Sequence, residues 1–355
     1  EFTFEVREGK TVVATGTNAA DGSIKFTTIN YTLDKANGID DTGIHTYTLV
    51  ETSVDGNGVT VDKNTYTVKV EVTDLADGNL DAKLTKDSNP VTFINTYVAT
   101  GSITFEGTKF VDSRDLLPGE TYTFEISENG TVIYTATNDA TGKINYPTIT
   151  YGVGDVGTHT YKVTEQAVNA NGITSSTVEH TVDVVVTDNR NGTLTVVDTS
   201  NNAKQLDFTN TYVADGTLVL TALKTLVGRL GKELQADEFK FTATDEMGRV
   251  FYSTMDKDGN ITFDTITYVL NATQDDTKTV HTLTVQEDIS NLPAGVTSVT
   301  QPYTVTVTVT DNGDGTLTVT PDKNGKELEF VNNYKAVGEI GLEATKVLNG
   351  RTMDA

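Results

Sequence analysis

Three residue types able to react with one another return at fixed places along this chain. A lysine follows each of three tyrosines by twelve residues: Lys109 after Tyr97, Lys224 after Tyr212 and Lys346 after Tyr334. A glutamate ends each of three similar segments, HTYTLVE, HTYKVTE and HTLTVQE, as Glu51, Glu165 and Glu287. An asparagine stands between two aromatics in FINTY, FTNTY and FVNNY, as Asn95, Asn210 and Asn332. In a strand every second side chain shares a face, so each asparagine points where its aromatic neighbours point. The same count puts Lys109 with Ile103 and Phe105, Lys224 with Leu218, Leu220 and Ala222, and Lys346 with Ile340, Leu342 and Ala344. Glu51 falls with Tyr47 and Leu49, Glu165 with Tyr161 and Val163, and Glu287 with Leu283 and Val285. Asn333, the second amide of FVNNY, faces the other way.

Singly, each residue has a plain structural role. A lysine can snorkel from a strand end to water, and an inward Lys–Glu pair stabilises little because desolvation offsets its Coulomb gain. Together in one apolar setting they are reagents. A desolvated lysine loses its proton and becomes a nucleophile. A glutamate beside it is pushed toward its neutral form. It can then donate to the carboxamide oxygen, polarise the carbon and shuttle protons while ammonia leaves. The product is a Lys–Asn isopeptide bond, formed once per domain by positioning. Nothing turns over, so the chain is not read as an enzyme, and the chemistry asks for no cofactor and no metal.

The elements that must hold these residues also repeat. The three tyrosines are separated by 115 and 122 residues, and within each period the same landmarks return in order. A Phe-x-Phe-like strand comes first (Phe2 and Phe4, Tyr122 and Phe124, Phe239 and Phe241), then the middle strand ending in glutamate. A long alternating hairpin follows, as YTVKVEVTDLADGNLDAKL, HTVDVVVTDNRNGTLTVV and YTVTVTVTDNGDGTLTVT, and the asparagine strand comes last. No window keeps a 3.6-residue period. The reading is all-β: tandem antiparallel sandwiches of about seven strands each, arranged as an elongated rod because the linkers VATGS and VADGT are short. The domains predicted are 1–97, lacking its first, lysine-bearing strand; 98–212 and 213–334, both complete; and 335–355, the first strand of a further or neighbouring domain.

Composition narrows the partners. A formal charge of −24 argues against nucleic acid, whose phosphates need basic patches, and against anionic membrane surfaces. It suits a soluble extracellular protein. The absence of cysteine removes disulfides and thiolate sites. No apolar run reaches the roughly 18 residues of a membrane span. The chain opens on Glu1 and carries no signal peptide, so a processed or cut-out piece is expected. LPGET at 117–121 is read as a turn. DNGDG at 311–315 hints at a calcium loop, but DLADG and DNRNG do not repeat its acidic set, and a hairpin turn is preferred. His45, His159 and His281 stand one per repeat, too far apart to share a metal, and are assigned a structural place at a strand start.

The repeats resemble the isopeptide-linkage domains of streptococcal-type backbone pilins and related Gram-positive surface adhesin stalks. GTKF, ALKT and ATKV carry the lysine match, the HTYTLVE-like segments the acid, and FINTY, FTNTY and FVNNY the asparagine. The resemblance spans essentially the whole chain. It implies inverse immunoglobulin-like, CnaB-like sandwiches that form the bond autocatalytically, lined up as a cell-wall or pilus fibre. It implies that Lys109 pairs with Asn210 under Glu165, and Lys224 with Asn332 under Glu287.

Domain 1 departs from this pattern, because no lysine precedes Glu51 and Asn95, while Lys346 has no body of its own. Two arrangements satisfy both facts. Lys346 serves the next repeat of a longer array, or its strand is donated to Asn95 of a neighbouring molecule, head to tail. A ligand-binding adhesin region, contacting a host or matrix partner through sandwich-end loops, is the second functional reading. The near-uniform repeats favour the shaft.

Overall fold

Runs of Thr and Val in strict alternation, punctuated by Asn-Gly and Asp-Gly pairs, leave the backbone little choice but short strands and tight turns. The computed structural model describes residues 1–277 and 280–354. Apart from four three-residue 3-10 turns, the regular structure described is entirely β. Among the described residues no helix is long and apolar enough to cross a membrane.

The second unit shows the plan. One sheet runs Thr131–Thr137, Thr123–Glu128, Gly157–Glu165, Glu179–Asp188 and Leu194–Asp198, antiparallel throughout. The opposite face is made of Lys109–Val111, Phe208–Tyr212 and Ile173–Thr174, with Gly101–Thr104 paired to Thr148–Tyr151 beside it. Lys109–Val111 and Phe208–Tyr212 are parallel neighbours, with Lys109 opposite Phe208 and Val111 opposite Asn210. The third unit repeats this: Thr221–Val227 lies parallel to Glu329–Tyr334, with Lys224 opposite Phe330 and Leu226 opposite Asn332.

Two details differ from the sequence reading. The lysine segment is not one strand. Gly101–Thr104 pairs with Thr148–Tyr151, and the chain then crosses to the other pairing before Lys109. Gly107 permits the crossing: a Cβ there would lie 2.0 Å from the Leu206 carbonyl oxygen. Both halves face the core, so the alternation survives a break that it could not reveal. The unit also has ten strands, several of two to four residues, in place of about seven. The segment at 117–121 is a turn, closed by the Glu120 N–H donating to the Leu117 carbonyl at 3.0 Å, and DNGDG caps the hairpin between Tyr303–Asp311 and Leu317–Pro321.

The first unit has a six-stranded sheet, in the order Ile24–Phe26, Thr11–Asn18, Thr3–Glu8, Gly43–Glu51, Thr65–Asp74 and Leu80–Leu84. Its other face is thin. Among the described residues Thr96–Tyr97 pairs only with Val59–Thr60, and no strand lies beside residues 91–95 or 28–31. Its buried cluster is Val6, Ala14, Tyr47 and Leu49, with Phe4, Val61 and Val72 buried outside it, whereas one continuous core runs through the second and third units. Residues 335–354 form no strand, and almost every side chain there is exposed.

Candidate functional site

Lys109 enters the second unit's core from the first strand of the thinner face, Asn210 from the parallel strand beside it, and Glu165 from the end of the middle strand opposite. The three converge. Lys109 Nζ donates to Glu165 Oε2 at 2.9 Å, and Asn210 Nδ2 donates to Glu165 Oε1 at 2.8 Å. The Lys109 and Glu165 side chains are fully buried. Around them stand Phe124 and Phe208, ring centroids 5.0 Å apart, and Tyr122, whose ring centre is 4.6 Å from the ammonium nitrogen. Burial is the largest influence on Lys109 and pulls its pKa below the ordinary lysine value, against the opposing pull of Glu165.

The third unit has the same trio. Lys224 Nζ and Asn332 Nδ2 donate to Glu287 Oε1 at 2.7 and 2.8 Å. Phe239 and Phe241 lie 4.4 and 5.8 Å from Nζ. Burial again lowers the lysine pKa and outweighs Glu287.

The orientation of the asparagine differs from the sequence reading, which had the acid donating to the carboxamide oxygen. Here the carboxylate is the acceptor for both nitrogens. In the second unit the Asn210 oxygen instead accepts the Ser176 backbone N–H at 2.8 Å. A backbone donor on that oxygen is placed to stabilise the charge that develops there under attack. The corresponding N–H of the third unit, on Val299, is bonded to the Val331 carbonyl at 3.2 Å, and Asn332 Oδ1 is buried without a partner.

In the first unit only two of the residues meet. Asn95 Nδ2 donates to Glu51 Oε1 at 2.9 Å, and the Asp62 N–H donates to Asn95 Oδ1 at 2.8 Å. Glu51 Oε2, matching the oxygen that receives the amine in the second unit, is buried without a hydrogen bond. Lys346 is exposed on the unpaired segment and does not join them.

One supporting group escaped the sequence reading. Arg114 makes a double hydrogen bond to Glu120 at 2.8 Å and lies 4.4 Å over the Tyr212 ring, while Tyr122 OH donates to Glu120 at 2.6 Å. Burial acts most strongly on Glu120 and raises it, but Arg114 and Tyr122 prevail and bring it down to about 2. Arg229 and Glu238 repeat the pair. The available signal was an arginine five residues after each lysine: Arg114, Arg229 and Arg351. The histidines are held alike: Nδ1 of His45, His159 and His281 meets Glu8, Glu128 and Glu246, and Nε2 meets a backbone carbonyl.

The model of the FctA family, described as a Spy0128-like isopeptide containing domain, matches the chain three times, over residues 1–98, 105–213 and 220–335. No curated protein sequence matches it. Among solved structures, the major pilin T-13 of Streptococcus pyogenes is 19% identical, covers 67% of this chain and 99% of its own, and superposes with a TM-score of 0.22. The shaft pilin SpaA of Lactobacillus rhamnosus GG is 14% identical, with coverage of 67% and 100% and a TM-score of 0.18. The pilus adhesin SpaC of the same organism is 12% identical, with coverage of 96% and 42% and a TM-score of 0.21.

Proposed function

The chain belongs to the FctA family of Spy0128-like isopeptide-containing domains, and from that premise we propose that it is a structural segment of a Gram-positive surface fibre, a pilus shaft or adhesin stalk. Its place is outside the cell, on the wall or pilus. Its units are the sandwiches 1–97, 98–212 and 213–334, with 335–355 supplying the first strand of a further unit. The second and third are locked by Lys109–Asn210 and Lys224–Asn332 bonds. Lys346 is the counterpart for Asn95, in the next repeat or in a neighbouring molecule.

The observation that carries this reading is the buried contact of Lys109 and Asn210 with the two oxygens of one glutamate. Burial favours the neutral amine. Lys109 Nζ attacks Asn210 Cγ while the Ser176 N–H holds the carbonyl oxygen. Glu165 takes a proton from the attacking nitrogen and passes that proton on to Nδ2. The new Nζ–Cγ bond replaces Cγ–Nδ2, and nitrogen departs as ammonia.

Mechanics gives the bond a purpose. The strands it ties are adjacent and parallel, one the second and the other the last of its unit. Tension on the chain ends therefore drags them past each other. A covalent tie between them carries the load across and leaves the rest of the sandwich unloaded.

Intact mass tests this directly: each bond removes about 17 Da by the stoichiometry of the condensation. The folded chain should show two losses. Glu165→Gln should remove the one that maps to the Lys109–Asn210 peptides and leave the other. An unshifted mass for the wild-type chain sinks the reading.

A further inference from the structure

The two places where one unit meets the next are built alike. Tyr97 OH donates to Asp188 Oδ1 at 2.7 Å, and the Gly192 N–H donates to the Tyr97 hydroxyl at 3.4 Å. At the following joint Tyr212 OH donates to Asp311 Oδ1 at 2.6 Å, and the Gly315 N–H donates back at 3.2 Å. In each case the tip of a long hairpin seats on the tyrosine that closes the preceding unit. Backbone packs on backbone: a Cβ on Gly58 would lie 2.6 Å from Gly192 Cα, and one on Gly172 would lie 2.7 Å from Gly315 Cα. The glycine four residues past each tyrosine is also covered. A Cβ on Gly101 or Gly216 would lie 2.8 or 2.5 Å from the carbonyl oxygen of Leu194 or Leu317.

Both halves of a third such joint are present, one in the first unit and one at the close of the third, and neither is occupied among the described residues. The hairpin tip Asp74–Gly78 already has the joint conformation. The Ala76 N–H caps Asp74 Oδ1 at 2.9 Å, as Arg190 and Gly313 cap Asp188 and Asp311 at 2.8 and 2.9 Å. Ala76 and Gly78 have φ of 62° and 88°, against 57° and 85° for Arg190 and Gly192. At the other end the Lys335 N–H donates to the Gly295 carbonyl at 2.8 Å, as those of Val98 and Val213 donate to Gly58 and Gly172. Tyr334 OH makes no hydrogen bond among the described residues, and a Cβ on Gly78 or Gly338 would meet nothing within 4 Å. DNGDG thus has a role that the calcium comparison hid: its first aspartate does recur, as Asp74 and Asp188.

We propose that the Tyr334 end of one copy receives the Asp74–Gly78 hairpin of a second copy, and that this joint lays residues 336–350 of the first copy into the thin face of the second copy's first unit. The internal repeats fix the register. Gly338 and Ile340 pair antiparallel with Tyr31 and Ile29, as Gly101 and Ile103 pair with Tyr151 and Ile149. Lys346 and Leu348 run parallel beside Phe93 and Asn95, as Lys224 and Leu226 run beside Phe330 and Asn332. Lys346 Nζ then reaches Glu51 Oε2. Ile340 and Leu342, 82% and 88% exposed in the single chain, become core residues. Only the covalent step, Lys346 Nζ on Asn95 Cγ with loss of ammonia, rests on the crosslinking reading; the docking does not.

Two measurements separate them. Sedimentation of Lys346→Ala, which keeps the joint and cannot crosslink through it, should show concentration-dependent head-to-tail association. Tyr334→Ala should abolish that association, and Tyr334→Phe, which keeps the ring, should weaken it about tenfold, the equivalent of one hydrogen bond. A Lys346→Ala chain that stays monomeric, or one indifferent to both tyrosine changes, overturns the joint whatever the state of the isopeptide bonds. Mixing Lys346→Ala as acceptor with Asn95→Ala as donor should yield an SDS-resistant dimer, lighter by about 17 Da than the two chains. Association without that dimer leaves the joint standing and overturns the covalent step. Loss of the bonds in the second and third units would fail the crosslinking reading instead.

Discussion

At the scale of single residues, the second and third units share the Lys–Glu–Asn trio but not its bonding: Lys109 and Asn210 take separate oxygens of Glu165, whereas Lys224 and Asn332 share Glu287 Oε1 and leave Oε2 buried and bare. Asn210 Oδ1 has the Ser176 N–H, while Asn332 Oδ1 is buried and bare. Removing one donor from a developing oxyanion costs about 100-fold or more in rate. Peptide mapping at intervals after rapid refolding should therefore find the Lys109–Asn210 bond at least about tenfold ahead of Lys224–Asn332; equal rates would assign the Ser176 N–H no part. That Lys109, Glu165 and Asn210 face the core was legible from spacing, because alternation fixes a face over a few residues. The way the amide turns was not, since it depends on which backbone N–H the opposite strand leaves free.

At the scale of elements, the histidines and the joint glycines set what each strand end can do. For His45 the Asp41 carbonyl is the largest influence and raises the pKa, with Glu8 adding to it against burial. For His159 and His281 burial is the largest single influence and lowers it, but a carbonyl and a glutamate together prevail. All three are raised in the folded state, so their contribution is fully present below about pH 6.5 and is lost as pH rises through the folded values. Melting followed from pH 5.5 to 8.5 should show stability falling, and a triple His→Asn variant should flatten that slope. At the joint, Gly172 has φ of 79° and a Cβ there would lie 2.3 Å from the Val213 carbonyl oxygen. Gly172→Ala should cost more than about 1 kcal/mol and speed proteolytic cleavage near Val213, with the two crosslinks untouched. The histidine positions stood out in the sequence; their glutamate partners, 31 to 37 residues away, depended on strand order.

At the scale of the molecule, stability is unevenly distributed. Phe208 and Phe330 are 0% and 1% exposed, whereas their counterpart Phe93 is only partly buried and the first unit's buried cluster is small, Val6, Ala14, Tyr47 and Leu49. Each fully buried aromatic or large aliphatic side chain contributes about 1.5–3 kcal/mol. Calorimetry of Lys346→Ala at low concentration should therefore resolve two transitions, with the first unit melting below the other two. A synthetic peptide of residues 336–350 should raise the lower transition alone.

By itself the sequence determined the all-β class, the threefold repeat and the inward faces of Lys109, Glu165, Asn210, Lys224, Glu287 and Asn332, because strand periodicity and turn chemistry are written in neighbouring residues. The tertiary structure decided which strands lie together. It broke the lysine segment in two, set its second half parallel to the last strand, turned the carboxamide away from the expected donor, and seated two hairpin tips on tyrosines about a hundred residues away in sequence. Those outcomes rest on pairings between distant segments, which no local pattern encodes.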